Sequence, residues 1–100
     1  MEKNRYDYII KDKKRLKAVA LKYEPEKDFA PYLVAKGEGK LAEEIVAKAK
    51  DENIPVIEKN NMASILIDLK IGEFIPVELY HAVAVIFAKL FECDKGEKFL

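Results

Sequence analysis

One hundred residues, half of them hydrophobic and 36 % charged, carry 18 basic and 18 acidic side chains. A chain this short buries about 60–70 % of its unfolded surface, enough for one core and not for two. Zero formal net charge supplies no global field for nucleic acid, so a nucleic-acid-binding role is not expected. Cys93 is the only cysteine; no internal disulfide can form, and a reducing cytosol is the expected compartment. No apolar run nears the ~18 residues of a membrane span, and Met1 to Arg5 lack the apolar core of a signal peptide. The sequence thus implies a cytoplasmic protein with no membrane segment of its own.

In chain order, residues 1–16 read as a flexible or edge-strand segment. Tyr6, Tyr8 and Ile10 alternate as in a short edge strand, and Lys11 to Lys17 set five bases against one acid, the pattern of a solvated stretch. The run Ala18-Val19-Ala20-Leu21-Lys22-Tyr23 predicts a central strand. Val19 and Leu21 share one face, while Ala18 and Ala20 on the other let a helix pack closely. Glu24 to Asp28, with Pro25, turn the chain. Ala30-Pro31 opens a second strand, Tyr32 to Lys36, which stops at Gly37. From Gly39 to Glu52, Leu41, Ala42, Ile45, Val46 and Ala49 recur at helical spacing among charged residues, which predicts an amphipathic helix.

Asn53 suits the end of that helix. Ile54-Pro55-Val56-Ile57 suits a buried parallel strand reached by a right-handed crossover. Asn60 or Asn61 is the expected cap of a short helix with Met62, Ile65, Leu66 and Leu69 on one face, ended by Gly72. Ile75-Pro76 leads into a last helix, Val77 to Phe91, with Pro76 near its first position and Glu78 in its first turn. There Leu79, Ala82, Val83, Ile86 and Leu90 form one apolar stripe, and Tyr80, Ala84, Phe87 and Phe91 form a second beside it. The arc is roughly twice the ~100° that a helix on a sheet must bury. The surplus stripe packs on a neighbouring helix or lines a groove for a partner.

Catalytic chemistry finds little support. Gly37-Glu38-Gly39-Lys40 before a helix is reminiscent of a phosphate loop, but it lacks both the third glycine of a dinucleotide fingerprint and the Gly-Lys-Ser/Thr ending of a P-loop. His81 stands alone on the polar side of the last helix, no Cys/His cluster exists to hold a metal, and no cofactor is implied. Glu43, Glu44, Asp51, Glu52, Glu58 and Glu73 are ordinary surface carboxylates, and Ser64 sits in no nucleophile motif.

Taken together, Ala18-Val19-Ala20-Leu21-Lys22-Tyr23, Ala30-Pro31 with Val34-Ala35-Lys36-Gly37, Asn53-Ile54-Pro55-Val56, and Ile75-Pro76 with Glu78-Leu79-Tyr80 and Ala82-Val83-Ala84 resemble the cytoplasmic domain of the FlhB/YscU type III export switch family. The resemblance runs over about residues 17–91. It implies a small mixed, mostly parallel α/β sheet of three to four strands under about four helices, with residues 92–100 as a tail. Family members carry a membrane domain ahead of this region and an Asn-Pro-Thr-His tetrapeptide, at which the asparagine amide attacks its own carbonyl and breaks the chain. Aligned on the strand that follows, this sequence has Lys13-Lys14-Arg15-Leu16 there. A lysine side chain cannot cyclise in that way, so no self-cleavage is implied.

The resemblance also implies an apolar patch for early rod- and hook-type export substrates, which by alignment falls on Ala30, Pro31, Ala84 and Phe87. The expected protein is a monomeric, non-enzymatic module at the base of the flagellar export gate. It would contact gate components and substitute for or supplement the cleaved cytoplasmic half of FlhB in substrate docking. The alternatives are a small nucleotide-binding or hydrolytic enzyme using Gly37 to Lys40, and a homodimeric structural protein that buries the second stripe.

Overall fold

The first strand lies inside the sheet. In the computed structural model, which describes residues 6–13, 16–24 and 26–94, four strands stand in the order β3-β2-β1-β4, with β1 at Tyr6–Lys11, β2 at Lys17–Tyr23, β3 at Tyr32–Glu38 and β4 at Val56–Glu58. β1 and β2 form an antiparallel hairpin with Ile10 opposite Val19. β2 and β3 continue the meander with an irregularity at Ala20/Leu21, and β4 runs parallel to β1 with Ile10 opposite Ile57. Two of the expectations are corrected. The strand in the described part of segment 1–16 is not at an edge: β1 is paired on both sides, and Tyr8, Ile9 and Ile10 are all buried. The sheet is mixed, as implied, but only one of its three neighbouring pairs is parallel.

Alternation divides the side chains between two cores. Tyr8, Ile10, Val19, Leu21 and Leu33 face one side. There they meet Met62, Ala63 and Leu66 of α2 (Asn60–Leu66), and Val83 and Ile86 of α3 (Tyr80–Asp94). Ile9 and Ala18 face the other side, where Ala42 and Ala49 of α1 (Lys40–Asp51) close down on them. The alanines on β2 and α1 have the close-packing role their sequence suggests. Burial raises the proton affinity of the Tyr8 phenol well above the ordinary tyrosine value.

The helix ends are set by local chemistry. After α1, Asn53 takes a left-handed φ of 60°; its N–H donates to the Lys50 carbonyl at 3.2 Å, and the Ile54 N–H donates to Ala49 at 2.8 Å. This is the paired closure of a Schellman motif, with Ile54 packed into the same core as Ala49. The expected asparagine cap of α2 is not formed: Lys59 holds that position without a side-chain bond. The Asn60 Oδ1 instead accepts the Lys13 N–H at 2.9 Å. Pro76 precedes a 3-10 turn, Val77–Leu79, that leads directly into α3. The Lys36 ammonium donates to the Leu69 and Ile67 carbonyls at 2.7 and 3.1 Å, tying β3 to the chain leaving α2.

Candidate functional site

Beyond Asp28 the chain leaves the loop after β2 and crosses to β3 through Phe29, Ala30 and Pro31. The loop is closed on itself: the Lys27 and Asp28 N–H groups donate to the Glu24 carbonyl at 2.8 Å, the Glu24 N–H donates to the Asp28 carboxylate at 2.8 Å, and Lys27 pairs with Glu24 at 3.5 Å. Opposite it, residues 72–75 strap the outer edge of β3. The Gly72 N–H donates to the Leu33 carbonyl at 2.7 Å, the Leu33 N–H to Glu73 at 3.0 Å and the Ile75 N–H to Pro31 at 2.9 Å. The strap brings Phe74 edge-on to both Phe29 and Tyr32, with ring centroids 5.9 and 6.3 Å apart.

Between loop, strap and α3 lies a concavity of about 320 Å³. Tyr23, Phe29, Ala30 and Pro31 form one wall, and Ile75, Tyr80, Val83 and Ala84 form the other. Ala30 and Pro31 are buried, whereas Ala84 is exposed. Three of the four patch residues therefore line one hollow; the side chain of Phe87 lies outside the described residues. On α3 the first stripe holds the core through Val83 and Ile86. Of the second stripe, Tyr80 and Ala84 are exposed and not packed under a neighbouring helix, and the side chains of Phe87 and Phe91 are not described.

Small side chains at Ala30 and Ala84 leave the hollow open, and among the described residues its walls carry no ionisable group apart from the two tyrosines. Such a surface is suited in shape and polarity to apolar side chains, and its described lining holds no acid, base or nucleophile pair. Sequence reasoning placed Tyr80 on the stripe offered as a groove lining but missed Phe29, Tyr23, Ile75 and Val83 as members of the site. Phe29, 79 % exposed, had one signal: an aromatic side chain immediately before Ala30-Pro31, where the turn gives it nothing to pack under.

The Asn-Pro-Thr-His-aligned residues fall in the connection between β1 and β2. Lys13 is exposed, Leu16 is half-buried with φ 55°, and Lys14 and Arg15 lie outside the described residues. Asp12 and Lys17 close the connection: the Asp12 N–H donates to the Lys17 carbonyl at 2.9 Å, and the Lys17 N–H donates to the Asp12 carboxylate at 2.6 Å. Gly37 to Lys40 form a strand-to-helix turn whose glycines serve packing and turn geometry. A Cβ on Gly37 would stand 2.5 Å from the Leu41 Cγ, and the Gly39 N–H already donates to the Leu16 carbonyl at 3.0 Å. His81 is exposed. Among the described residues no group of three or more His, Cys, Asp or Glu could hold a metal, and no helix is long and apolar enough to cross a membrane.

Comparison with known proteins places this architecture. The chain is 37 % identical over 82 residues to the uncharacterized protein YlqH of Bacillus subtilis (strain 168), covering 82 % of this chain and 88 % of that one. To the flagellar biosynthetic protein FlhB of Aquifex aeolicus (strain VF5) it is 47 % identical over 72 residues, which is 71 % of this chain but only 21 % of that much longer protein. The crystal structure of the cytoplasmic domain of FlhB from Shewanella putrefaciens superposes with a TM-score of 0.79 at 31 % identity, over 87 % of this chain and 72 % of that one. The model of the FlhB HrpN YscU SpaS family matches residues 15–90. With that span matched and the fold shared, this chain belongs to the FlhB HrpN YscU SpaS family.

Proposed function

We propose that the chain acts in flagellar type III protein export, in the cytoplasm at the base of the export gate, as a non-enzymatic module. It supplements or stands in for the cytoplasmic half of FlhB. Its partners are gate components and early rod- and hook-type substrates, whose apolar export signals dock against Ala30, Pro31, Ala84 and Phe87. The observation that supports this reading most is that Ala84 and the Ala30-Pro31 pair, 53 positions before it in the sequence, line one apolar concavity. An aliphatic or aromatic anchor seated there gains about 25 cal/mol per Å² buried, roughly 1.5–3 kcal/mol before ordering costs, which suits weak and reversible traffic.

The test is binding of a peptide carrying the export signal of a hook or rod subunit. Ala84→Asp places a charge in the hollow and is expected to abolish binding, while His81→Ala leaves it unchanged. Because Ala84 is exposed, its substitution leaves the melting curve close to that of the parent. If Ala84→Asp folds normally and binds the peptide as the parent does, the docking site is elsewhere.

A further inference from the structure

A second hollow lies at the other end of β2 and on the opposite face of the sheet, and we infer that it docks an acidic peptide segment carrying an apolar side chain. The inference stands independently of the substrate-docking proposal. The hollow, of about 290 Å³, opens between the β1–β2 connection and α1. Its floor is apolar: Leu16, Ala18, Ala42, Val46 and Ala47. Ala18 and Ala42 are buried, so the floor is recessed below the helix surface.

The rim is basic. Lys11, Lys17 and Lys50 line it against Glu43 and Asp12. The Asp12 carboxylate is buried and accepts the Lys17 N–H at 2.6 Å, and the Lys11 ammonium lies a long 3.9 Å from the Glu58 carboxylate. Exposed Lys13 follows on the same connection, so the described residues at and beside the rim carry four lysines, Lys11, Lys13, Lys17 and Lys50, against Asp12 and Glu43. In a chain of zero net charge this is a local surplus, and it draws carboxylates to the mouth of an apolar hollow. Leu16 holds its wall at φ 55°, a backbone conformation that side-chain-bearing residues rarely adopt, and the Gly39 N–H fixes its carbonyl.

A peptide fits better than the other polyanions. Among the described residues no aromatic side chain lines the hollow to stack on a base. A bilayer surface is met by protruding bulky apolar side chains, whereas this floor is recessed and mostly alanine.

The probe is a fluorescein-labelled peptide of sequence EDLEELD, followed by anisotropy and by amide chemical shifts of the full chain. Binding is expected to weaken with salt, with shifts confined to residues 16–18 and 42–50. Lys17→Glu with Lys50→Glu turns attraction into repulsion at two rim positions and weakens binding by about tenfold or more. Ala47→Phe fills the hollow without altering its charge and is expected to weaken binding comparably; Ala47 is exposed, so this variant keeps the test decisive if the double charge variant does not fold. Ala84→Asp, in the other hollow, leaves this binding unchanged. The inference is overturned if the serine analogue EDSEESD binds equally well, if Ala47→Phe binds as the parent does, or if no shifts appear at the hollow. Displacement of the peptide by phosphatidylserine vesicles or oligouridylate at lower concentration than unlabelled peptide would also overturn it, in favour of that ligand.

Discussion

Gly37 shows how much one missing carbon decides. It lies buried in β3, and the Leu41 side chain at the first turn of α1 occupies the space a Cβ would take, with Leu41 Cβ and Cδ2 both 2.9 Å from the ideal position. Gly37→Ala is therefore expected to cost about 1–3 kcal/mol by forcing the helix start away from the strand. In a Leu41→Ala background most of that cost should vanish, a coupling that denaturant unfolding of the four-protein cycle reads directly. Additive effects would mean that the glycine is required for some other reason. Lys13 makes a chemical prediction: with no side-chain amide beside Lys14 to attack the backbone, the purified chain stays at full mass for days at neutral pH. A fragment beginning at Lys14 in a mass spectrum would sink both that expectation and the alignment behind it.

Among the elements, β1 separates what the sequence made legible from what it did not. β2, β3, α1, β4, α2 and α3 each followed from period and punctuation to within a few residues: α1 has one apolar stripe on a visibly polar helix, and β2 and β4 are short apolar runs bounded by turn residues. β1 misled because Tyr6, Tyr8 and Ile10 alternate beside a basic run, like a strand at a rim. The counter-signal was Ile9, which makes Tyr8-Ile9-Ile10 apolar on both faces, as a strand covered on two sides requires. Ile10→Ala is accordingly expected to cost about 2–5 kcal/mol in urea unfolding. By contrast Ile71→Ala, at a position 58 % exposed, stays within about 0.5 kcal/mol. Near-equal effects would return residues 6–11 to the role of a lead-in. The candidate site was less legible than the fold. Ala30 and Pro31 came from resemblance alone, and periodicity put Ala84 on the surplus stripe; periodicity reports which face a residue takes and says nothing of whether three turns of chain meet around a hollow.

For the whole molecule, the two hollows stand at opposite ends of a seven-residue strand, roughly 20 Å apart, and on opposite faces of the sheet. An apolar anchor and an acidic segment can therefore be held at once without crossing. Stability as a whole carries an alkaline limit set by Tyr8. Its phenol ionises near 10.0 in the unfolded chain and only at higher pH in the folded one. Above that value the unfolded chain binds fewer protons, and stability falls as pH rises. Tyr8→Phe is expected to remove this part of the alkaline slope, read as the difference between the two melting-temperature profiles across pH 10; parallel profiles would refute it. The place of β1 also bears on a cut chain. Paired with β2 along its whole length and with β4 beyond it, with three consecutive side chains sunk into both cores, it is retained by its neighbours and not by the loop that joins it to β2. A backbone nicked between Asp12 and Leu16 is expected to hold together as a two-piece clasp, and a synthetic β1 peptide added to the remainder to reconstitute the domain, so that assembly could be switched by supplying one strand.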